Sequence, residues 1–245
     1  IIKAGTLPEL IYFCEKRDDR ALEISEKYGA IRGDLAQVGQ LSSTIFLVVK
    51  PQDLSELLVS LAPHKRPDAL LLSFVAGKST EFIESNVGQQ TAVIRIMPNT
   101  AVLIGKGMSA ISAGKFATAN HLIRAKKLLS ASGEVVTVSE DLQSAVTAVS
   151  GSGPAYFFAF VEAMVDAAIA LGLSKEMATQ LTNQTIVGAA AMLAESGKSA
   201  TTLRENVTSP NGTTAAALKI FDDGKLADLV SKAMHASHDR SQELA

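Results

Sequence analysis

Three stretches carry residue types suited to a small anionic substrate and a nucleotide. The first is Thr208-Ser209-Pro210-Asn211-Gly212-Thr213-Thr214, running into Ala215-Ala216-Ala217-Leu218. Asn-Gly tolerates a left-handed backbone, so this spacing predicts a tight turn. A helix opens directly after it, with two hydroxyl residues at its mouth. Free N–H groups and the positive end of the helix dipole make such a mouth an anion site, and a carboxylate suits it. The same residues also read as an ordinary Thr-capped helix. The second stretch, Arg95-Ile96-Met97-Pro98-Asn99-Thr100, falls at the carboxyl end of a predicted strand. Ligands of open parallel sheets lie there. Asn99 can hydrogen-bond an amide such as a nicotinamide carboxamide, or simply make the turn after a proline-terminated strand. The third is Glu15-Lys16-Arg17. At such a strand tip an acid binds ribose hydroxyls and favours NAD, whereas a base accommodates the extra phosphate of NADP. Lys16 and Arg17 point to NADP, Glu15 leaves NAD open, and a solvated charged loop is the plainer reading.

Other chemical groups point to structure rather than to sites. His235 and His238 lie three apart on the last predicted helix, without a third ligand nearby in sequence, so no metal site is expected. Asp222-Asp223-Gly224 reads as a helix end, and Glu162 with Asp166 as a solvated face. Cys14 sits in an apolar run and reads as an inert core thiol. As the single cysteine it excludes an internal disulfide, and it points to a reducing, cytoplasmic compartment. A net charge of -2 gives no electrostatic case for nucleic acid. No uninterrupted apolar run is long enough to cross a bilayer, so no membrane partner is expected.

The elements that must position these groups follow from the hydrophobic pattern. Apolar runs predict strands over 10–14, 44–49, 69–75 and 91–97, with helices over 18–28, 53–61 and 80–85 between them. Such alternation reads as βαβ units with right-handed crossovers, hence an α/β fold with a Rossmann-type doubly wound sheet. Strands over 108–111 and 135–138 flank an amphipathic helix over 115–132. After Ser139 the strand signal ends, and helices are predicted over 154–171, 175–195, 213–221 and 226–245. The expected organisation is a dinucleotide-binding domain over 1–140 and an all-α domain over 141–245, enough chain for two modest cores. Pro154 suits a first helical position, capped by Ser152 or Gly153. Residues 155–171 are apolar almost all round, so this helix should be buried on every side, against a second domain or a second copy. Ile1-Ile2-Lys3-Ala4-Gly5 reads as a helix tail stopped by Gly5 rather than as a secretory signal. The Gly-x-Gly-x-x-Gly fingerprint is absent from the sequence. The first strand and its Gly-rich loop are therefore expected within about 20 residues preceding Ile1, in a longer protein.

Four stretches in order, Val48-Val49-Lys50-Pro51, residues 95–100, Val149-Ser150-Gly151-Ser152-Gly153-Pro154-Ala155-Tyr156 and residues 206–214, resemble the pyrroline-5-carboxylate reductase family along essentially the whole chain. The resemblance implies NAD(P)H-dependent reduction of 1-pyrroline-5-carboxylate to L-proline, the last step of proline biosynthesis, by hydride transfer to the imine carbon. NADPH is the implied cofactor, with NADH possible. It further implies that the backbone amides of Thr213 and Thr214 hold the substrate carboxylate, that the Thr214 hydroxyl faces the imine nitrogen, and that Glu140 is a substrate-contacting acid. Val48, Lys50 and Ala76 would line the cofactor, Asn99 would lie near the nicotinamide, and Asn206 would reach the cofactor from the helical domain. A homodimer through the helical domain, assembled into larger rings, is the implied partner state. The family's usual Gly-Gly is Asn211-Gly212 here, a change the backbone should tolerate. Two other classes remain open. A β-hydroxy-acid reductase would carry a Lys base on the long helix, yet none lies between Pro154 and Leu171. A non-catalytic dimerisation module would explain the missing fingerprint.

Overall fold

The computed structural model describes residues 1–88 and 90–244. Strand β1 (Tyr12–Phe13) leads through α1 (Asp18–Tyr28) to β2 (Ile31–Arg32), its parallel partner. Helix α2 (Leu35–Leu41) precedes the main sheet of β3 (Thr44–Leu47), β4 (Leu70–Ser73), β5 (Ala92–Pro98), β6 (Gly107–Ala113) and β7 (Gly133–Thr137), hydrogen-bonded in that order. Helices α3 (Leu54–Leu61), α4 (Thr80–Val87) and α5 (Ala119–Leu129) connect its strands. Strand β4 is buried along its whole length. Alternation along it sorts the side chains into two layers. Leu71 packs with Leu54, Leu58 and Ile83 of α3 and α4. Leu70 and Leu72 pack instead with Ala125 and Leu129 of α5. Helices thus cover both faces, as a doubly wound sheet requires.

Several expectations are corrected. The sheet is mixed, because β6 runs antiparallel to β5. Residues 99–106, which join them, are too few for a crossover, since a parallel return needs about a dozen residues or more. The first apolar run forms only the two-residue β1, partly buried, with Leu10 and Cys14 exposed. Cys14 is therefore not a core thiol. Among the described residues β1 pairs with β2 alone, in a sheet of two strands.

The chain divides into two compact units, one of Ile1–Ser152 together with the chain from Ser237 onward, the other of Gly153–Ala236. The second unit holds α7 (Gly153–Ala170), α8 (Lys175–Glu195), α9 (Ala200–Asn206), α10 (Thr213–Asp223) and the start of α11 (Leu226–Glu243), after α6 (Gln143–Val146) in the first. Helix α7 packs on α8, and Phe160 meets Phe221 of α10 with ring centroids 6.3 Å apart. No capped start precedes Pro154. Instead α6 runs through a π-helical turn at Thr147–Gly151, where the Ser152 amide donates to the Thr147 carbonyl at 2.8 Å. A five-residue step of this kind accommodates the proline that follows, which has no N–H to offer.

The helical stretch Glu140–Ala170 is, by length and composition alone, apolar and long enough to cross a membrane, contrary to the expectation from uninterrupted runs. The difference is that helix continues unbroken from the turns before α7. Within this single chain, Gly153 alone among the residues of α7 is buried. Ala245, to which the last helix was expected to run, lies outside the described residues.

Candidate active site

Within the first unit the carboxyl ends of β3, β4 and β5 present the expected cofactor-lining residues. Val48 is 71% exposed just past β3, and Lys50 is exposed before the turn at Pro51–Asp53. After β4, Ala76 is exposed, and Gly77 follows with φ 70, a conformation that costs glycine little. Asn99 directly follows β5 and is already engaged. Its amide donates to the Met108 carbonyl at 3.1 Å, and its Oδ1 accepts from the Met108 amide at 3.1 Å. Its Nδ2 lies 3.4 Å from Ser150 Oγ. The side chain thus performs the turn-making role and keeps one N–H outside these bonds.

Glu140 is held by three groups. The Thr80 amide donates to Oε1 at 2.8 Å and the Thr80 hydroxyl to Oε2 at 2.5 Å. Arg95 Nη1 stands 3.4 Å from Oε1, with its side chain only 12% exposed. The carboxylate therefore sits at the N-terminus of α4, where a helix dipole favours negative charge. A substrate contact by Glu140 would have to be added to these bonds. Beside this cluster, Arg95 and Ser112 are register partners, and Gln143 Nε2 donates to Ser112 Oγ at 2.7 Å. Thr80 and Arg95 were not singled out as partners of Glu140 in the sequence. Arg95 stood inside a quoted stretch, but a pairing across 45 residues leaves no local signal.

Lys16 and Arg17 lie between β1 and α1, both exposed. The Arg17 guanidinium pairs with Asp19 at 2.5 Å, and that hydrogen bond holds the Asp19 carboxyl below the usual carboxylate range. Glu15 accepts the Arg17 amide at 3.0 Å. A further base, Arg32 on β2, reaches the Glu15 carbonyl at 3.2 Å and Asp18 at 2.7 Å. Its place beside the β1 tip comes from strand pairing. Exposed pairs of this kind contribute little, so a ligand phosphate can displace them.

In the second unit, Asn211 adopts φ 59, the left-handed turn expected of Asn-Gly. A Cβ on Gly212 would collide with Ser209 Oγ, so glycine is needed there for close approach. Gly212 is the N-cap of α10, and no side chain caps the helix. Its neighbours differ. Ser174 caps α8 by accepting the Met177 amide at 3.2 Å, and Ser199 caps α9 by accepting the Thr202 amide at 3.1 Å. Thr213 and Thr214 occupy the first two positions of α10, exposed and half-buried respectively. The ordinary Thr-capped arrangement is absent, and the α10 mouth keeps amides without a side-chain acceptor. Asn206, the last residue of α9, is exposed in the same unit. Among the described residues no cluster could hold a metal ion. His235 Nδ1 lies 2.8 Å from the Ser231 carbonyl, and His238 pairs with Asp239.

Comparison with known proteins adds independent findings. Residues 140–244 match the family profile for pyrroline-5-carboxylate reductase dimerisation. Residues 1–77 match the profile described as NADP oxidoreductase, coenzyme F420-dependent. Pyrroline-5-carboxylate reductase 2 of Bacillus subtilis (strain 168) is 38% identical over an alignment covering all of this chain and 88% of that one. Among solved structures, a pyrroline-5-carboxylate reductase from Coxiella burnetii superposes with a TM-score of 0.92 at 35% identity, covering 97% of this chain and 89% of that one. The Plasmodium falciparum pyrroline carboxylate reductase with NADP bound gives a TM-score of 0.83 at 25% identity, covering 95% and 86%.

Proposed function

The chain belongs to the pyrroline-5-carboxylate reductase family, and on that premise we propose how its residues carry the reaction. The reaction is the NADP-dependent reduction of 1-pyrroline-5-carboxylate to L-proline, the last step of proline biosynthesis. When bound, the reduced nicotinamide supplies the hydride that adds to the imine carbon. The strand ends fit such a cofactor. Val48, Lys50 and Ala76 offer exposed lining at the edge where open α/β sheets hold dinucleotides. Lys16 and Arg17 offer cations for the extra phosphate of NADP, and Asn99 and Asn206 offer amide groups for the cofactor. NADH remains the second cofactor to try, because Glu15 stands beside them.

The α10 mouth carries the substrate. The Thr213 and Thr214 amides hold the carboxylate, and the Thr214 hydroxyl accepts a hydrogen bond from the protonated imine nitrogen. That protonated form is the more electrophilic one. Glu140 is the acid assigned to the substrate, steadied by Thr80 and Arg95. With no dedicated proton donor among these residues, positioning supplies most of the rate enhancement. On this reading residues 1–140 bind cofactor, and 141–245 bind substrate and dimerise. The homo-oligomer is a dimer through the helical half, built into larger rings in the cytoplasm, without nucleic acid or membrane.

The observation that supports the substrate assignment best is the uncapped mouth of α10 beside the Ser-capped α8 and α9. The test is loss of NADPH absorbance on adding 1-pyrroline-5-carboxylate to the full-length protein. Thr214→Val, which removes the hydroxyl at nearly constant volume, should lower kcat/KM for the imine about tenfold to a hundredfold and leave the NADPH Kd unchanged. Absence of imine-dependent turnover in the wild type overturns the reading.

A further inference from the structure

Neither cofactor lining nor the substrate clamp accounts for the pattern Ser150-Gly151-Ser152-Gly153-Pro154. Its first two residues close the π-helical turn Thr147–Gly151 between α6 and α7. Such turns recur at functional sites. This one is anchored on both sides within the first unit. Upstream, the Thr147 hydroxyl donates to the Gln143 carbonyl at 2.8 Å, and the buried Gln143 side chain reaches Ser112 of β6 at 2.7 Å. Downstream, Ser152 Oγ lies 2.9 Å from Ser237 Oγ. Between these anchors the turn packs on β5. A Cβ on Gly151 would stand 2.6 Å from the Met97 methyl group, so glycine permits the close approach. The approach brings Ser150 Oγ to the strand end, 3.4 Å from Asn99 Nδ2.

The orientation of the Asn99 carboxamide gives this contact its meaning. Its Oδ1 must face Met108, because the Met108 amide is a donor. Its Nδ2 therefore faces Ser150, and the Ser150 hydroxyl oxygen accepts, since Nδ2 can only donate. A planar amide held by its oxygen and by one N–H keeps its remaining N–H in a single direction. We propose that Ser150 is a positioning residue for hydride transfer. It fixes the Asn99 carboxamide so that the remaining N–H meets the nicotinamide carboxamide and sets how the ring faces the imine carbon. Ser150 acts through Asn99, without touching cofactor or substrate. The inference rests on the reading of Asn99 as a neighbour of the nicotinamide. Loss of such a device costs rate rather than affinity, because a misaligned ring stays bound but reacts from a poorer geometry.

The test is single-turnover oxidation of NADPH bound to the full-length protein, on mixing with 1-pyrroline-5-carboxylate. The variants are Ser150→Ala, Ser150→Thr, Asn99→Asp and the double variant of Ser150→Ala with Asn99→Asp. Asn99→Asp keeps the acceptor for the Met108 amide and removes the donor that faces Ser150. Ser150→Ala should slow hydride transfer roughly threefold to tenfold, the worth of one neutral hydrogen bond, with the NADPH Kd and the KM for the imine unchanged. Ser150→Thr, which retains the hydroxyl, should recover most of the rate. In the Asn99→Asp background Ser150→Ala should have no further effect, because the two residues act as one unit. An unchanged rate in Ser150→Ala overturns the inference and leaves the proposed function standing. Equal losses in Ser150→Ala and Ser150→Thr overturn it, since packing rather than the hydroxyl would then be responsible. Independent, multiplying losses in the double variant overturn it, because Ser150 would not act through Asn99. A Ser150→Ala protein that melts well below wild type without cofactor overturns it as the sign of a merely structural role. A wild-type protein without imine-dependent turnover overturns the proposed function itself.

Discussion

Glu84 lies on α4, 7% exposed, and accepts the Phe116 amide at 3.4 Å. Burial pushes its pKa above the ordinary glutamate value, and the nearby charge of Glu140 adds to the shift. A carboxyl whose pKa rises on folding holds its proton more tightly in the native state than in the unfolded one. Stability therefore falls as pH climbs from the unfolded pKa to the folded one, and stays lower above it. Glu84→Gln keeps the volume and an acceptor for the Phe116 amide while removing the charge. Its urea midpoint should exceed that of wild type at neutral pH, and the two should converge on acidification below the unfolded carboxylate pKa. Parallel curves of midpoint against pH would refute this account. At this scale Asn211 was legible, because Asn-Gly encodes its own left-handed turn. The surroundings of Glu140 and Cys14 were not. Their partners, or lack of them, come from distant chain.

Elements with long periodic patterns were legible almost to the residue, as α1 and α8 show. Short ones were not. Strand β2 has two residues and no period to detect. Helix α2 was missed although Asp34 and Gln37 form a capping box, a signal present in the sequence. Helix α9, also missed, has Ser199 as its cap. The β6–β7 pair shows what sequence pattern leaves out. Gly133 opens β7 at φ 137, with Gly107 as its register partner. A Cβ on Gly133 would strike the Gly107 carbonyl oxygen. Gly133→Ala should therefore cost more than about 2 kcal/mol, through both backbone strain and lost strand pairing. Urea unfolding measures the cost, and an unchanged midpoint would show that the sheet edge relaxes around the added methyl group.

For the whole molecule, the informative feature is apolar surface. Phe157 and Phe158 of α7 are each 64% exposed, on a helix whose sequence predicts burial all round. Exposed large apolar side chains on one helix are the usual mark of an interaction site. The dimerisation profile over 140–244 supports a homo-oligomer, so a second copy of the chain is the partner to test for this face. Replacing Phe157 and Phe158 with Glu should weaken that association. Two buried aromatic side chains contribute on the order of 3 kcal/mol or more, at least about a hundredfold in dissociation. Light scattering after size exclusion should show monomer at concentrations where wild type is oligomeric. An unchanged mass would place the interface elsewhere.

The longer strands and helices and the turn at Asn211-Gly212 could be read from residue type and period, because each depends on neighbours within a few positions. Folding settled what depends on long-range pairing. It turned β6 antiparallel, gave the Glu140 carboxylate to Thr80 and Arg95, and left α10 without a side-chain cap. It also brought Ser150 to the end of β5. Contacts across tens of residues arise when layers pack, and no local periodicity records which groups that packing will bring together.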